Sequence, residues 1–269
     1  MYILIDIGGT KTRVALTEHR EAFLPPVTFE TPQDFEEWFT RLSSEVAILL
    51  QGKKVHGLVV GVPATLTQDG IIEKAPNLPL WKDVTLSKRL EKHFSCNVLL
   101  RNDTALVGLG EALYGAGKDK AIVAYLTIST GVNGVRIVDG KIDSNVFGFE
   151  IGHSIIEEGR DVESLISGGA LARRFGKPSH EVHDISVWER VNHYAGVFGA
   201  NTVMYWSPSI IVYGGPVMND LHIETIEKEA KQLLHMYKET PIFVRATLQD
   251  YGGLYGALVL SKELSEDAN

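Results

Sequence analysis

Residues 2–17 read YILIDIGGTKTRVALT, and this stretch decides the fold. Tyr2–Ile7 has the apolar composition of a buried strand, Gly8-Gly9-Thr10-Lys11 suits a tight turn, and Thr12–Thr17 has the alternating apolar positions of a second strand. The stretch therefore predicts a β-hairpin. Glycine permits positive φ and lets backbone N–H groups approach an anion, and the threonine hydroxyl adds a donor. A plain hairpin connection uses the same residues, so this turn alone leaves a phosphate site and an ordinary turn equally open.

A similar Gly-rich hairpin returns in the second half of the chain. The apolar run Ala121–Ile128 leads into Ser129-Thr130-Gly131-Val132-Asn133-Gly134 and then into Val135–Val138. The recurrence indicates an internally duplicated chain. Two such turns that face each other can grip a polyphosphate from both sides, so the pair favours phosphate binding over two unrelated hairpin connections.

Helices and strands alternate between the two hairpins. The apolar spacing predicts helices near residues 32–50, 87–94 and 104–114, and strands at 57–61 and 97–100. This alternation is typical of an α/β layer with a mixed sheet, in which active groups gather at strand ends and Gly-rich turns. Asp103 stands at such a strand end. It also stands where a helix begins, and from spacing alone an N-cap is the better interpretation of its carboxylate.

The later half has the same alternation but offers fewer chemical signals. The pattern predicts helices at 185–204 and 220–237, strands at 209–213 and 242–246, and a final Gly-rich segment at 252–257. The strand at 209–213 runs into another turn, Gly214-Gly215. His153, which follows Glu150 closely, and Glu163 are chemically capable residues. Taken singly, each is more typical of a structural or surface position.

Composition excludes several classes of function. The chain has 44% hydrophobic and 22% charged residues, a formal net charge of −8 and no run of five basic residues, so we expect no nucleic-acid partner and no membrane span. The N-terminus enters a strand without a signal-peptide pattern, and we expect a cytoplasmic protein. The single cysteine, Cys96, allows neither an internal disulfide nor a multi-thiolate metal site, and its apolar surroundings indicate a buried structural role.

The chain resembles the ROK sugar kinases along nearly its whole length. Smaller matches are Gly61-Val62-Pro63, Asn77-Leu78-Pro79 with Trp81, Ser167-Gly168 and Gly214-Gly215. The main motifs occur in the order seen in that family: Asp6-Ile7-Gly8-Gly9-Thr10-Lys11, Asn102-Asp103, Ser129-Thr130-Gly131-Val132, Glu150-Ile151-Gly152-His153 and Glu163.

The resemblance implies an α/β chain with the actin-like (ribonuclease H-like) two-domain ATPase fold and a duplicated core. It implies an N-terminal α/β domain of residues 1–113 plus 250–269, a C-terminal α/β domain of residues 114–249, and a cleft between them. It also implies a homodimer, and closed two-fold symmetry is the commonest arrangement among soluble oligomers.

The resemblance also assigns the site residues. Asp103 is implied as the general base toward the sugar hydroxyl, which replaces the N-cap interpretation, and Asp6 as the residue that positions Mg²⁺, through water. The implied partners are ATP and a small sugar, with Mg²⁺ as the cofactor. The implied sugar-binding residues are Asn77, Asn102, Asp103, Glu150, His153 and Glu163. The implied nucleotide-binding residues are Gly8, Gly9, Thr10, Lys11, Thr130, Gly131, Gly214 and Gly215.

The chain departs from the family pattern at two places. Many ROK proteins bind structural zinc in a cysteine-rich loop after the Glu-x-Gly-His segment, but the nine residues between His153 and Glu163 include no cysteine, so we expect no zinc. Another partner must then orient the His153 ring, and Glu157, Glu158 and Asp161 are the candidates by sequence proximity. In the second turn Asn133 and Val135 stand where the family has more glycine. Asparagine tolerates positive φ, which would preserve the turn.

These features together predict ATP-dependent phosphorylation of a hexose or N-acetylhexosamine hydroxyl, on carbon six, as a glucokinase does. The alternative is a non-catalytic sugar-binding sensor of the same family, which would not need the base and both turns. The family also includes DNA-binding repressors with an N-terminal winged helix. Because Met1 lies directly before the first strand, we do not expect that module.

Overall fold

The computed structural model describes residues 1–67, 69–146 and 148–264, and it divides into two compact units. Unit one consists of Met1–Gly110 and Asp250–Asn269, and unit two consists of Glu111–Gln249. Residues 265–269 of the predicted N-terminal domain lie outside the described residues. Within the described ranges, every helix is too short or too polar to cross a bilayer.

Fourteen strands and eight α-helices are found in the part of the chain that the structure describes. The strands are β1 (Tyr2–Ile7), β2 (Lys11–Thr17), β3 (Val27–Glu30), β4 (Gly57–Val62), β5 (Thr65–Leu66), β6 (Ile72–Lys74), β7 (Asn97–Asn102), β8 (Ile122–Ile128), β9 (Val132–Val138), β10 (Lys141–Ile142), β11 (Ile155–Glu157), β12 (Arg160–Asp161), β13 (Ile210–Gly214) and β14 (Ile242–Arg245). The helices are α1 (Phe35–Leu50), α2 (Leu86–Phe94), α3 (Asp103–Leu113), α4 (Val162–Ile166), α5 (Gly168–Phe175), α6 (Ile185–Trp206), α7 (Ile223–Leu233) and α8 (Gly252–Ser261).

The two units contain five-stranded sheets of one topology. The strand order is β3-β2-β1-β4-β7 in unit one and β10-β9-β8-β13-β14 in unit two. In each sheet the first three strands pair antiparallel, and the last two continue parallel to the central strand. Both predicted Gly-rich hairpins are present as β1–β2 and β8–β9. The duplicated core that the sequence predicts is therefore confirmed.

Alternation along β1 decides which side chains reach the site. Ile3, Ile5 and Ile7 belong to the core cluster that also contains Trp38 of α1 and Leu90 of α2. The residues between them point to the opposite face of the sheet, because successive strand residues alternate between faces. That face packs against α8. Asp6 lies on this α8 face. The one charged residue of β1 is therefore kept out of the apolar core that β1 forms with α1.

The boundary between the units falls within α3, at Gly110, earlier than the predicted residue 113. Glu111 is 1% exposed, and its carboxylate accepts hydrogen bonds from the backbone N–H groups of Ala116, Thr247 and Leu248. A buried carboxylate with this many donors is strongly held. Glu111 thus fastens the start of unit two to the residues that end it.

One predicted helix begins later than its sequence pattern suggests. Residues 216–220 form a short 3₁₀ helix, Leu221 is extended, and α7 begins only at Ile223. Pro216 starts the 3₁₀ turn after Gly215, and Leu221 is fully buried, so its packing requires a break in the helix that periodicity alone does not reveal.

Candidate active site

Asp6 lies in a tightly enclosed position at the end of β1 in unit one. Its side chain is packed by α8, where a Cβ atom at Gly253 would lie 2.4 Å from Asp6 Cγ. Across the hairpin Asp6 pairs with Arg13, whose Nη1 is 4.0 Å from Asp6 Oδ2 and whose Nη2 is 3.2 Å from Asp250 Oδ1. The Arg13 guanidinium therefore lies on one side of the carboxyl. On the other side Gly253, which has no side chain, lets α8 pack closely against it.

Asp103 comes close to Asp6 because β1, β4 and β7 are parallel neighbours. The carboxyl ends of parallel strands meet at one edge of a sheet, and Asp103 directly follows β7. Gly61 of β4 lies between the two residues: a Cβ atom there would be 3.5 Å from Asp6 Oδ1 and 3.6 Å from the Asp103 Cα atom. Gly61 is therefore a shared neighbour of both aspartates, and the tightest contact that a side chain would make there is with Leu106 Cδ1, at 2.9 Å.

The electrostatics of this pair favour a bound cation. Burial raises the pKa of the Asp6 carboxyl to about 7, and the negative charge of Asp103 acts in the same direction, while the Arg13 guanidinium opposes it. A divalent cation would supply the positive charge that this buried carboxylate needs, and carboxylate oxygens are the protein ligands that Mg²⁺ prefers. The residues present therefore fit a magnesium ion.

The cap at the start of α3 is Asn102 rather than Asp103. Asn102 Oδ1 accepts a hydrogen bond from the Ala105 backbone N–H at 3.4 Å, which is the N-cap pattern. Asp103 is the first residue of the helix, and its Oδ1 accepts from the Thr104 N–H at 2.7 Å. The N-cap interpretation of Asp103 that spacing favoured is thus wrong. Asn102, predicted as a sugar ligand, is thus the residue whose side-chain amide oxygen caps α3.

The first Gly-rich turn is held by Thr31 and touches Asn77. Thr31 Oγ1 donates to the Gly8 carbonyl at 2.9 Å, and the Gly8 N–H donates to the Lys11 carbonyl at 2.8 Å. A Cβ atom at Gly9 would lie 2.7 Å from Asn77 Cβ, so this predicted sugar residue packs directly on the turn. Gly8 and Gly9 lie outside the left-handed region. Close packing at Gly9, and not positive φ, is what requires glycine there.

The second Gly-rich turn lies in unit two and is held by two neighbouring segments. The Gly168 and Gly169 N–H groups donate to the Ser129 and Thr130 carbonyls at 2.7 and 3.0 Å. From α4, Glu163 Oε2 accepts from the Val132 N–H at 2.9 Å, and a Cβ atom at Gly131 would lie 2.7 Å from that oxygen. Glu163, predicted as a sugar ligand, therefore braces the predicted nucleotide turn.

The three predicted sugar residues of unit two, Glu150, His153 and Glu163, lie close together. His153 ends a one-turn 3₁₀ helix, Ile151–His153, that packs on β9 so closely that a Cβ atom at Gly152 would lie 1.8 Å from the Val132 carbonyl oxygen. The hydrogen bond to Asp161 raises the pKa of the His153 imidazole and outweighs the lowering effect of burial, and the negative charges of Glu163 and Glu150 raise the pKa further. Glu150, His153 and Glu163 thus form one acidic cluster around an imidazole.

Asp161 is the partner that orients the His153 ring. Its Oδ2 lies 2.8 Å from His153 Nδ1, while its Oδ1 accepts from the Ser164 N–H and caps α4. Of the three carboxylates that sequence proximity offered, Glu157 instead accepts a hydrogen bond from the Tyr194 hydroxyl and pairs with Arg160. The ring orientation is set by a residue that also begins a helix.

Asn133 does not occupy the left-handed conformation that the sequence interpretation allowed for it. It lies within β9, where its Oδ1 accepts from the Gly134 N–H at 2.8 Å and its Nδ2 donates to Glu150 Oε2 at 3.4 Å. The turn is already closed by Ser129 and Gly131, whose N–H and carbonyl are 2.8 Å apart. Asn133 therefore tethers Glu150 and needs no unusual backbone.

The glycines that follow β13 have a packing explanation of their own. A Cβ atom at Gly214 would lie 2.3 Å from the Tyr125 hydroxyl, and one at Gly215 would lie 2.3 Å from the Ile128 carbonyl oxygen. Gly215 also has a φ of 91°, which other residues rarely adopt. Glycine is required at both positions by the fold of unit two, and their contact with adenosine stays a prediction.

The sequence interpretation gave no role in the site to Arg13, Asp250, Gly61 or Gly253. Arg13 had a usable signal: counting outward from the turn of a regular hairpin places it opposite Asp6. The other three come from strands or helices distant in sequence, and only the packed sheet reveals that they surround Asp6.

Comparisons with known proteins agree on one family. The sequence model described as "ROK family" matches residues 2–264. A fructokinase of Zymomonas mobilis subsp. mobilis is 26% identical, with 97% of this chain and 96% of that protein covered.

Solved structures share the fold over almost the whole chain. A ROK hexokinase from Thermus thermophilus matches with a TM-score of 0.83 and 24% identity, covering 99% of each chain. A ROK family glucokinase from Streptomyces griseus, solved with glucose and AMPPNP, matches with a TM-score of 0.80 and 22% identity over 97% of this chain and 99% of that one. The predicted actin-like α/β fold is therefore confirmed. A ROK family transcriptional regulator, a homologue of an E. coli protein, also has this fold, with a TM-score of 0.77 and 19% identity over 98% of this chain and 79% of that one.

Proposed function

Because the chain belongs to the ROK family, we propose that it is an ATP-dependent sugar kinase in which Asp103 is the general base. The proposed acceptor is a hydroxyl of a hexose or N-acetylhexosamine, on carbon six. The observation that carries this proposal is the pairing of Asp103 with the buried Asp6 at one sheet edge, separated only by Gly61. Named relatives that act as sugar kinases support the same class of reaction.

The reaction needs a proton acceptor beside the sugar and charge neutralisation beside the phosphate. As the sugar oxygen forms its bond to the γ-phosphorus of ATP and the bond to ADP breaks, Asp103 would take the hydroxyl proton. The Thr104 N–H holds one oxygen of Asp103 and so fixes the orientation of the carboxylate. Phosphoryl transfer has a loose transition state, so this alignment is the main contribution of the protein.

Asp6 would hold the Mg²⁺ that accompanies ATP, through water, and the ion would neutralise charge on the phosphate oxygens. Arg13 and Gly253 keep the Asp6 carboxyl in one position. Backbone donors would cradle the phosphates alongside the ion. We assign this role to Gly8, Gly9, Thr10, Lys11, Thr130 and Gly131, and the adenosine contact to Gly214 and Gly215.

The sugar would be recognised by amides, carboxylates and an imidazole. We assign this role to Asn77, Asn102, Asp103, Glu150, His153 and Glu163. Asp161 occupies His153 Nδ1, so Nε2 is the ring atom that would meet a sugar hydroxyl. A site built from polar groups penalises a sugar that leaves them unpaired, which is the basis of selectivity among hexoses.

The test is ADP release from Mg-ATP over a panel of hexoses and N-acetylhexosamines. We expect one sugar to stimulate release, and Asp103→Asn to reduce kcat by at least about a thousandfold while sugar binding is retained, because the base acts on the bound sugar. The matched control is Asp83→Asn in the same unit. Asp83 is exposed and has a φ of 65°, which asparagine tolerates, so this variant should keep wild-type rates.

If no sugar of the panel stimulates ADP release although sugar still binds, the kinase proposal is contradicted and the non-catalytic sensor is favoured. Stimulation that survives in Asp103→Asn would contradict the role of Asp103 alone. We also propose that the protein is a homodimer, which light scattering of the purified chain would test through its molar mass.

A further inference from the structure

A cavity in unit two lies outside all the residues assigned to the kinase reaction. Its volume is about 360 Å³, and it is bounded by β12, α4, α5 and α6. Three arginines line it: Arg160, Arg174 and Arg190. A volume of this size suits a small metabolite, since ligand pockets commonly hold about 300–1,000 Å³.

Two of these arginines are not committed to carboxylates. Arg160 pairs with Glu157. Within the described part of the chain, Arg174 and Arg190 have no ion-pair partner; their guanidinium carbons lie 5.2 Å from the Phe175 ring centre and 5.9 Å from the Tyr194 ring centre. Stacking on a ring face leaves the N–H groups at the guanidinium edge able to bind an anion.

The one carboxylate among the lining residues is occupied locally. Asp184 caps α6, where Oδ1 accepts from the Ser186 N–H at 2.9 Å and the Ser186 hydroxyl at 2.8 Å. These hydrogen bonds lower the pKa of Asp184, so it stays ionised but turned toward its own helix. The cavity therefore keeps an excess of positive charge in a chain whose formal net charge is −8.

The rest of the wall is apolar. Leu171, Phe175, Val187 and Val191 line the cavity beside the arginines. Arginine matches the geometry of phosphate oxygens with paired N–H donors, and an apolar wall accepts a carbon skeleton. A free inorganic anion would use the arginines but leave this wall without a partner.

We propose that this cavity is a second binding site, for a phosphate monoester carried on a small carbon skeleton such as a sugar phosphate, with Arg174 and Arg190 as the phosphate ligands. The ligand is either the product of the proposed kinase reaction or a phosphorylated metabolite made by another enzyme. Only the first source depends on the proposed function. Binding itself can be measured without turnover.

The experiment is isothermal titration of the whole protein with glucose 6-phosphate, fructose 6-phosphate and inorganic phosphate. We expect at least one sugar phosphate to bind, and Arg174→Gln and Arg190→Gln each to weaken that binding at least about tenfold, because each removes charged hydrogen bonds to the phosphate. Lys177→Gln is the matched control: it removes one exposed positive charge from the same unit and does not line the cavity, so affinity should be unchanged. Both arginines are exposed, so circular dichroism should show that the variants fold.

Three results would overturn the proposal. One is that neither glucose 6-phosphate nor fructose 6-phosphate binds. Another is binding that survives in both arginine variants, which would place the phosphate elsewhere, including at the proposed sugar site. The last is equal affinity for inorganic phosphate, which would show that the apolar wall contributes nothing. If the arginine variants lose binding while the sugar panel shows no kinase activity, the cavity site stands and the ligand comes from another enzyme.

Discussion

The two sheets have the same strand order, but equivalent positions in them carry different chemistry. Asp6 pairs with Arg13 across the first hairpin, one residue pair before the turn, and the same position in the second hairpin holds Thr127 opposite Asn133. The adjoining parallel strand has a glycine in both units, Gly61 beside Asp6 and Gly214 beside Thr127. Duplication thus preserved the backbone frame and its close-packed glycine, while the acid and the guanidinium occur only in unit one.

The two turns also differ in what holds them. In unit one a neutral hydroxyl, Thr31, binds the Gly8 carbonyl. In unit two a carboxylate, Glu163, binds the Val132 N–H. A charged acceptor forms the stronger hydrogen bond, so the second turn should depend more on its brace than the first. These differences predict the effects of changes at Asp6 in unit one and at the residues that hold the two turns, Thr31 and Glu163.

Among the changes that test this comparison, the largest effect is expected from Gly253→Ala. The added methyl group would meet Asp6 Cγ at 2.4 Å and must displace the carboxyl from its position beside Asp103. We expect kcat of the sugar-stimulated reaction to fall about a hundredfold, since displacement of a positioning group by about 1 Å costs this much. Gly252→Ala is the control, because its methyl group meets only a Val107 side-chain methyl, at 2.8 Å. Equal loss in both variants would show that α8 packing, and not Asp6, is responsible.

A smaller effect is expected at the brace of the second turn. Glu163→Ala removes the acceptor for the Val132 N–H and should raise the KM for ATP about tenfold, which is the value of one charge-assisted hydrogen bond. Glu163→Gln keeps an acceptor oxygen of the same reach and should restore most of the affinity. Steady-state kinetics with ATP and sugar varied separately would decide the role of Glu163. A rise in the KM for the sugar alone would show that Glu163 acts only as the proposed sugar ligand and not through the turn.

The brace of the first turn should matter less. Thr31→Val keeps the side-chain shape but removes the hydroxyl that bridges Gly8 and Thr12. We expect a loss of about 1 kcal/mol in the free energy of unfolding and a rise of only a few-fold in the KM for ATP, because a neutral hydrogen bond is lost. Urea denaturation and ATP titration would measure the two effects. A larger KM effect here than in Glu163→Ala would reverse the comparison between the turns.

The smallest effect is a pH dependence of stability in unit two. The hydrogen bond to Asp161 raises the pKa of His153 above its ordinary value of 6.5, so the stabilisation is fully present below that value and is lost as pH rises through the raised pKa. Burial alone would raise the pKa of Asp161, but hydrogen bonds from His153 and Ser164 lower it from 3.8, so its contribution is lost as pH falls through that lowered value.

The corresponding measurement is the melting temperature of wild type and Asp161→Asn from about pH 3 to about pH 9, a range that spans the ordinary titration of aspartate and histidine. Asparagine can still cap α4, so the variant isolates the ion pair. Because both side chains are partly exposed, the difference should be less than about 1 kcal/mol, present between the pKa of Asp161 and that of His153, and small at either extreme. The negative charges of Glu150 and Glu163 also act on the ring and persist in the variant. A constant difference across the whole pH range would contradict the ionic origin of the effect.

Much of the fold could be read from the sequence because its signals are local. Apolar strands joined by Gly-rich turns predict the two hairpins, and a long run of helically spaced apolar residues predicts α6. The start of α7 was misplaced because burial of Leu221 interrupts a favourable helical pattern. The order of the motifs placed Asp103 and His153 among the site candidates, but spacing favoured a helix cap at Asp103, whereas Asn102 forms the cap.

By itself, the sequence determined the duplicated α/β core, the two Gly-rich turns and the residues that approach a strand end, since turn chemistry and side-chain alternation act over a few residues. The tertiary structure alone decided that Gly253 encloses Asp6, that Gly61 lies between Asp6 and Asp103, that Asp161 orients His153 and that Glu163 braces the second turn. Each of these contacts joins segments from different elements. Such contacts form only when strand pairing and helix packing fix the distances, which no local pattern records.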